Sequence, residues 1–329
     1  MGSARWFRLC IGLLLVTVPL WALLSRLDPI WSGHPANPAT LLVVVGAGLT
    51  LIAFVFLPWR LEPEPNGPPW EIDEQPAPAP PRTRHRGWRL FGRIVVAVLV
   101  VALVGFLAWI RPFPAGPNAI AALSNDAAVT ITDSPTTIEL RPITTATPTV
   151  GLVFSPGARV DSRAYVELLL PAAAAGYLVV VLKEPFGLAI FRPGQSGGAI
   201  GDHPEIENWA VGGHSLGGTA AAAFAGDNLA TVSGLLLWAS YPSNDLSAAN
   251  SLRVTSIFGS NDQLATPANI EQSRSKLPTQ TTFVEIRGGV HSFFGDYGEQ
   301  SGDGVPGIDR ATASAQISAA TVAFLGRLR

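Results

Sequence analysis

A serine between two glycines is the strongest chemical signal in the sequence. Residues 208–225 read NWAVGGHSLGGTAAAAFA, in which an apolar run precedes a G-x-S-x-G pattern and an Ala-rich segment follows it. This order predicts a strand, a sharp turn and a helix, with Ser215 in the turn as a nucleophile. Gly213 and Gly217 leave room for the strand and the helix to approach each other. A plain glycine-rich turn is the alternative, and it explains fewer parts of the pattern.

A second stretch, GQSGG at residues 194–198, has the same five-residue pattern and serves as a comparison. It follows Arg192 and Pro193 instead of an apolar strand, and the residues after it do not resemble the start of a helix. We therefore predict a loop here, with Ser196 as a solvated loop serine.

An activated serine needs a general base, and the base needs a carboxylate that orients it. Asp262 and His291 each come just after a predicted strand, at the edge where ligands bind in open α/β sheets. We predict His291 as the base and Asp262 as the acid. His203 is the alternative base, and Asp245 and Asp296 are the alternative acids. A surface turn for His291 and a helix cap for Asp262 are the non-catalytic alternatives.

The oxyanion of an acyl-transfer reaction needs two backbone N–H donors. One prediction is the amide of Leu216, directly after the nucleophile. The other donor is expected in the loop SPGAR, with Ala158 preferred and Gly157 second. Arg159 in this loop is either a solvated charge or a group that faces an anion. No Cys or His cluster has the spacing of metal ligands, so neither a metal nor an organic cofactor is expected.

Short apolar runs alternate with helix-like segments from about residue 137 onward. This alternation predicts an α/β fold, a mostly parallel sheet with helices on both faces. The predicted strands are Thr137–Leu140, Val150–Ser155, Leu178–Leu182, Trp209–Gly212, Leu235–Trp238, Val254–Phe258 and Thr282–Ile286. The predicted helices are Ala164–Ala175, Leu216–Ala225, Pro267–Lys276 and Ala311–Leu328.

Three uncharged apolar runs occupy the first third of the chain, at about residues 9–25, 39–59 and 94–110. Each has about the 17–25 residues that a helix needs to cross a bilayer. The high hydrophobic content, 48% of residues, fits three transmembrane helices. The first run could also be a signal peptide, but no cleavage site follows it, so an uncleaved span is favoured.

The distribution of arginines orients these spans. Arginines are concentrated before the first span and in the Pro-rich segment 60–93, which predicts that both lie in the cytoplasm. The resulting organisation is a membrane region at 1–111, a stem at 112–136 and an extracytoplasmic catalytic domain at 137–329. The net charge of −2 gives no reason to expect nucleic acid as a partner. The single cysteine, Cys10, excludes an internal disulfide.

The chain resembles the α/β-hydrolase superfamily over about residues 137–328, and it looks closest to a compact bacterial branch, here membrane-anchored. The resemblance rests on the segments PGARVDSRAY, GGHSLGG, LLLWASYP, FGSND and GGVHSFFGDYG, in that order. It implies an acyl-enzyme mechanism that uses Ser215, Asp262 and His291. The chain departs from many members because Ser155-Pro156-Gly157 replaces the usual His-Gly, and because it has no cap insertion.

These observations together predict a membrane-anchored serine hydrolase, similar to carboxylesterases and lipases, that acts on a small-molecule or lipid ester. An acyltransferase with the same triad is the alternative within enzymes. A non-catalytic envelope protein that binds a partner or a lipid is the alternative in another class. Neither the natural substrate nor the oligomeric state follows from the residues.

Overall fold

The computed structural model describes residues 3–57, 86–124, 127–143 and 147–329. The chain forms two compact units. The first consists of Met1–Ser25 and Ala39–Trp109, and the second of Arg26–Pro38 and Ile110–Arg329. The predicted sheet lies entirely in the second unit.

The described helices and strands have the following bounds. The helices are α1 (Ser3–Ser25), α2 (Leu27–Trp31), α3 (Ala36–Phe56), α4 (Arg86–Trp109), α5 (Pro117–Ala122), α6 (Val166–Ala174), α7 (Gln195–Gly201), α8 (Leu216–Asp227), α9 (Pro267–Ser273) and α10 (Arg310–Leu325). The strands are β1 (Val129–Asp133), β2 (Thr137–Pro142), β3 (Val150–Ser155), β4 (Leu178–Leu182), β5 (Asn208–His214), β6 (Val232–Trp238), β7 (Arg253–Gly259) and β8 (Thr282–Ile286).

Helices α1, α3 and α4 are long and apolar enough to cross a membrane, as the sequence predicted. α1 and α3 approach each other at Gly12 and Gly48, where a Cβ atom on either residue would meet the backbone oxygen of the other. Small residues allow this close packing of apolar helices. α4 begins at Arg86, earlier than the predicted 94, and its additional residues, RGWRLFGR, mix arginines with apolar side chains. Residues 58–85, most of the predicted cytoplasmic segment, lie outside the described residues.

The second unit contains an eight-stranded sheet in the order β1-β2-β4-β3-β5-β6-β7-β8. Strands β4 to β8 run parallel to β3, while β1 and β2 are antiparallel to their neighbours. This arrangement confirms the predicted α/β fold. Because the parallel strands end at the same edge, the segments after β3, β5, β7 and β8 are brought together there.

Both faces of the central strands are covered, which explains why β3 and β4 are buried at every position. Phe154 and Trp238 join a core cluster with α6 and α10 on one face. Their neighbours Val153 and Leu237 join a separate cluster with α8 on the other face. Side chains alternate across a strand, so a sheet covered on both sides needs hydrophobic residues throughout.

The segment predicted as a stem, residues 112–136, contributes to the folded unit. Strand β1 lies in it and pairs with β2. Phe113 forms a bridge with Val160, in the loop after β3. Residues 26–38 belong to the same unit: Asp28 forms an ion pair with Arg163 at 2.5 Å. Helical propensity and apolar pattern are weak over these stretches, so their positions are decided by long-range contacts.

Candidate active site

Ser215 occupies a strained turn between β5 and α8. Its φ of 52° and ψ of −122° lie in a region that residues with a side chain rarely adopt. Two hydrogen bonds hold the turn: Ser215 N–H donates to Trp238 O at 3.0 Å, and Ser240 Oγ donates to Ser215 O at 2.6 Å. Strand β6 and the residues that follow it therefore stabilise the strained conformation of Ser215.

The glycines of the motif have the steric role that the sequence predicted. A Cβ atom on Gly217 would overlap the carbonyl oxygens of Ser155 and Pro156. A Cβ atom on Gly213 would lie 2.5 Å from the carbonyl carbon of Gly217. Any larger residue at either position would push the loop after β3 away from the turn.

Asp262 and His291 form a buried pair at the same edge of the sheet. His291 Nδ1 lies 2.8 Å from Asp262 Oδ2, and the two residues are 2% and 0% exposed. Asp262 Oδ1 accepts hydrogen bonds from the N–H groups of Leu264 and Ala265 at 2.8 and 2.7 Å. These donors satisfy the carboxylate, so its other oxygen is oriented toward the imidazole.

The His291 ring lies against the turn that carries Ser215. Its centroid is 4.5 Å from that of His214, the residue directly before Ser215. Asp262 engages Nδ1 and leaves Nε2 as the nitrogen that can accept a proton. The Ser215 hydroxyl makes no hydrogen bond to any residue that the structure describes. In hydrolases, the hydrogen bond between a serine and its general base often forms only when substrate is bound.

Asp303 holds the loop that carries His291. Its carboxylate accepts hydrogen bonds from the N–H groups of His291 and Ser292, at 3.0 and 2.8 Å. The sequence analysis missed this residue. Its only signal is an acid between two glycines twelve residues after His291, which is also typical of an ordinary turn.

The alternative acids and the alternative base lie elsewhere. Asp296 accepts hydrogen bonds from Asn118 N–H and Ala119 N–H, so it caps helix α5. Asp245 is exposed and bonds Ser247 N–H within its own turn. His203 precedes β5, at the sheet edge opposite Ser215, and contacts Arg141.

The comparison serine, Ser196, differs from the expectation of a solvated loop residue. It lies in helix α7 and is 6% exposed. The glycines around it tolerate a helix when tertiary contacts support one, which sequence propensity alone underestimates. Ser196 still lacks the strained turn after a strand that distinguishes Ser215.

A hydrogen-bond chain supports the loop after β3. Gly157 N–H donates to the hydroxyl of Tyr165 at 2.8 Å, and that hydroxyl lies 2.9 Å from His214 Nδ1. The Gly157 N–H group therefore already has a hydrogen-bond acceptor within the protein. In contrast, the N–H groups of Ala158 and Leu216 donate to no described residue. The Arg159 guanidinium lies 5.0 Å from the ring centroid of Phe113.

Burial keeps His214 neutral. It is 1% exposed, and burial together with the neighbouring His291 lowers its pKa well below the usual 6.5. A neutral imidazole accepts a hydrogen bond at one nitrogen, so we infer that Tyr165 donates to Nδ1. His214 is thus a buried link between the Ser215 turn and the loop after β3. The sequence analysis gave it no role.

Glu184 lies behind the same loop. It is 5% exposed, and its Oε2 atom has no hydrogen-bond partner among the described residues. Burial raises the pKa of its carboxyl to about 8, although a hydrogen bond from Ser155 acts in the opposite direction. The carboxyl is therefore mainly protonated at pH 7, because burial disfavours its charged form.

No group of three His, Cys, Asp or Glu side chains in the described part of the chain is arranged to hold a metal ion. No curated protein matches the chain. A family model described as "Alpha/beta hydrolase family" matches residues 151–315, half of the chain. The matched segment runs from β3 through most of the sheet and includes the Ser215 turn and the Asp262–His291 pair. By this match and by its fold, the chain belongs to the alpha/beta hydrolase family.

Proposed function

We propose that the protein is a membrane-anchored serine hydrolase of carboxylic esters that uses Ser215, His291 and Asp262. The observation that carries the proposal is the buried Asp262–His291 pair beside a serine in a strained strand-to-helix turn. Nucleophile, acid and base follow one another along the chain in the order that is usual for this fold.

In the proposed reaction, Ser215 Oγ attacks the ester carbonyl while His291 Nε2 accepts its proton. Asp262 holds the proton of His291 on Nδ1, so that Nε2 is free to act as the base. The imidazolium then returns the proton to the leaving alcohol, which yields an acyl-enzyme. Water repeats the sequence and releases the acid.

The oxyanion in this mechanism is held by the N–H groups of Leu216 and Ala158. Both amides lack a partner among the described residues, and Leu216 also begins helix α8, where the helix dipole favours negative charge. Gly157 was the second choice in the sequence analysis. Its amide is bonded to Tyr165, which favours Ala158 as the second donor.

Replacement of each serine tests the assignment. We expect Ser215→Ala to lose labelling by a fluorophosphonate probe and to reduce hydrolysis of short activated esters by at least ~10³–10⁴-fold. Ser196→Ala is the matched control, because Ser196 has the same flanking pattern but lies within a helix. An active Ser215 variant, or a Ser196 variant that alone loses labelling, would contradict the proposal.

We also propose that the catalytic domain lies outside the cytoplasm. This orientation rests on three apolar helices and on the arginines that are concentrated before the first of them and between the second and third. A C-terminal alkaline phosphatase fusion should be active, whereas a C-terminal green fluorescent protein fusion exported by the general secretory route should be dark. The reverse result would reject this topology.

A further inference from the structure

A groove of about 360 Å³ begins beside the nucleophile turn and follows helix α8. Leu216, the residue after Ser215, lines its first part, and Asp227, the last residue of α8, lines the other end. Its volume lies in the range of small-molecule sites in proteins. The groove therefore reaches the residue next to Ser215, whose amide the proposed mechanism assigns to the oxyanion.

The floor of the groove is a row of small residues on one face of α8. Ala223 follows Thr219 by four positions and Ala220 by three, so it lies on the same side of the helix as both. The Thr219 hydroxyl donates to Tyr241 O at 2.9 Å, so its hydrogen is directed away from the groove. Phe224, the next residue of α8, also lines the groove, so this side of it is mainly apolar.

The opposite wall comes from the segment after β4 and is also apolar. It includes Ala189, Ile190 and Pro193. Ile190 is 63% exposed and Phe191, beside it, is 49% exposed. Large apolar side chains that remain this exposed next to a groove are typical of a surface that a ligand covers.

We propose that this groove binds the hydrocarbon chain of the substrate's acyl group, and this inference rests on the proposed function. The leaving alcohol must lie against His291, which returns a proton to it. The groove is formed by α8 and by the segments after β4 and β6, whereas His291 follows β8. The part of the ester that enters the groove is therefore the acyl group.

The dimensions of the groove favour a linear aliphatic chain. From Leu216 to Asp227, helix α8 rises about 16 Å at about 1.5 Å per residue. This is close to half of the ~30 Å hydrocarbon core of a bilayer, the thickness that one lipid acyl chain fills. The substrate class that fits is an ester of a linear fatty acid, and short acyl groups would leave most of the groove empty.

The test compares p-nitrophenyl acetate, butanoate and octanoate, with the full-length protein in detergent and with each ester below its own micellar concentration. Each buried CH₂ group should raise kcat/KM by up to about fourfold. We expect the octanoate-to-acetate ratio of kcat/KM to exceed about tenfold on the same basis.

Two variants then address the groove itself. Ala223→Trp should fill it and lower the octanoate-to-acetate ratio by about tenfold or more, the loss of two or more buried CH₂ groups. Ile190→Glu should lower the same ratio by placing a charge on the wall. Ala319→Trp is the matched control, because Ala319 is an exposed alanine on α10, and it should leave the ratio unchanged.

The outcomes separate the groove from the catalytic assignment. If Ser215 is labelled and acetate is hydrolysed, but both groove variants keep the wild-type ratio, the acyl-chain inference is wrong and the proposed function stands. If the wild-type protein hydrolyses no ester and the probe leaves Ser215 unlabelled, the proposed function fails, and the inference fails with it.

Discussion

Glu184 makes the stability of the hydrolase domain depend on pH. Its pKa is about 8 in the folded protein and about 4.5 for a free glutamate side chain. Between these two values the folded state retains a proton that the unfolded state has lost. The stability that the protonated Glu184 carboxyl contributes is therefore fully present below pH 4.5. It decreases as the pH rises from 4.5 and is lost once the pH has passed through about 8.

Among the described residues, no positive charge contributes to the pKa of Glu184, and the neighbouring Lys183 is paired with Asp133. Asp161 and His34 line the same small cavity. Asp161 is paired with Arg163, and burial together with the nearby Arg192 lowers the pKa of His34. An ionised Glu184 carboxylate would thus remain buried without a nearby opposite charge among the described residues. This is the condition under which burial raises the pKa of a carboxyl.

We predict that Glu184→Gln becomes more stabilising, relative to the wild type, as the pH rises. A shift from 4.5 to about 8 costs the wild type about 3 kcal/mol by pH 7 and about 5 kcal/mol by pH 9, at about 1.4 kcal/mol per pKa unit. Glutamine does not ionise, so whatever it costs in packing or hydrogen bonding is independent of pH.

The assay is thermal unfolding of the full-length protein in detergent, followed by near-ultraviolet circular dichroism. Between pH 5 and pH 9 the Tm difference between variant and wild type should widen by roughly 8–16 °C, at about 2–4 °C per kcal/mol. Glu207→Gln is the control, because Glu207 is exposed, and its Tm difference should stay flat. A flat difference for Glu184→Gln as well would refute the reasoning.

Three further predictions test individual contacts. Asp262→Asn should lower kcat by roughly 10⁴-fold with little change in KM, because the imidazole loses the group that holds its tautomer. Asp296→Asn alters only a helix cap and should keep kcat. The opposite pattern would assign the role of the acid to Asp296. Tyr165→Phe should destabilise the domain by about 1–3 kcal/mol, since it leaves a buried N–H without a partner, and it should also lower kcat if the loop after β3 carries the oxyanion donor. Asp161→Asn should cost about 3–5 kcal/mol as the buried partner of an arginine, whereas Asp28→Asn, which removes the exposed partner of the same arginine, should cost under about 1 kcal/mol. Equal Tm losses for the last two variants would contradict the role given to burial.

The sequence alone was sufficient for features that depend on a continuous local pattern. An apolar strand, a glycine-flanked serine and an Ala-rich helix follow one another within eighteen residues, so the turn at Ser215 could be predicted from the residues themselves. The alternation of apolar runs with helices likewise predicted the parallel sheet. Three long apolar segments predicted three helices able to cross a membrane. In each case the signal has the period of the element that it forms.

The tertiary structure alone decided which distant groups meet. Tyr165 and His214 are 49 residues apart, and only the packing of α6 against the sheet brings the hydroxyl to the imidazole. Asp303 and Glu184 resemble ordinary loop acids in the sequence, yet one binds the backbone of the His291 loop and burial raises the pKa of the other. Burial and hydrogen-bond partners are properties of the whole fold, because water is removed from a side chain by segments that can lie anywhere along the chain.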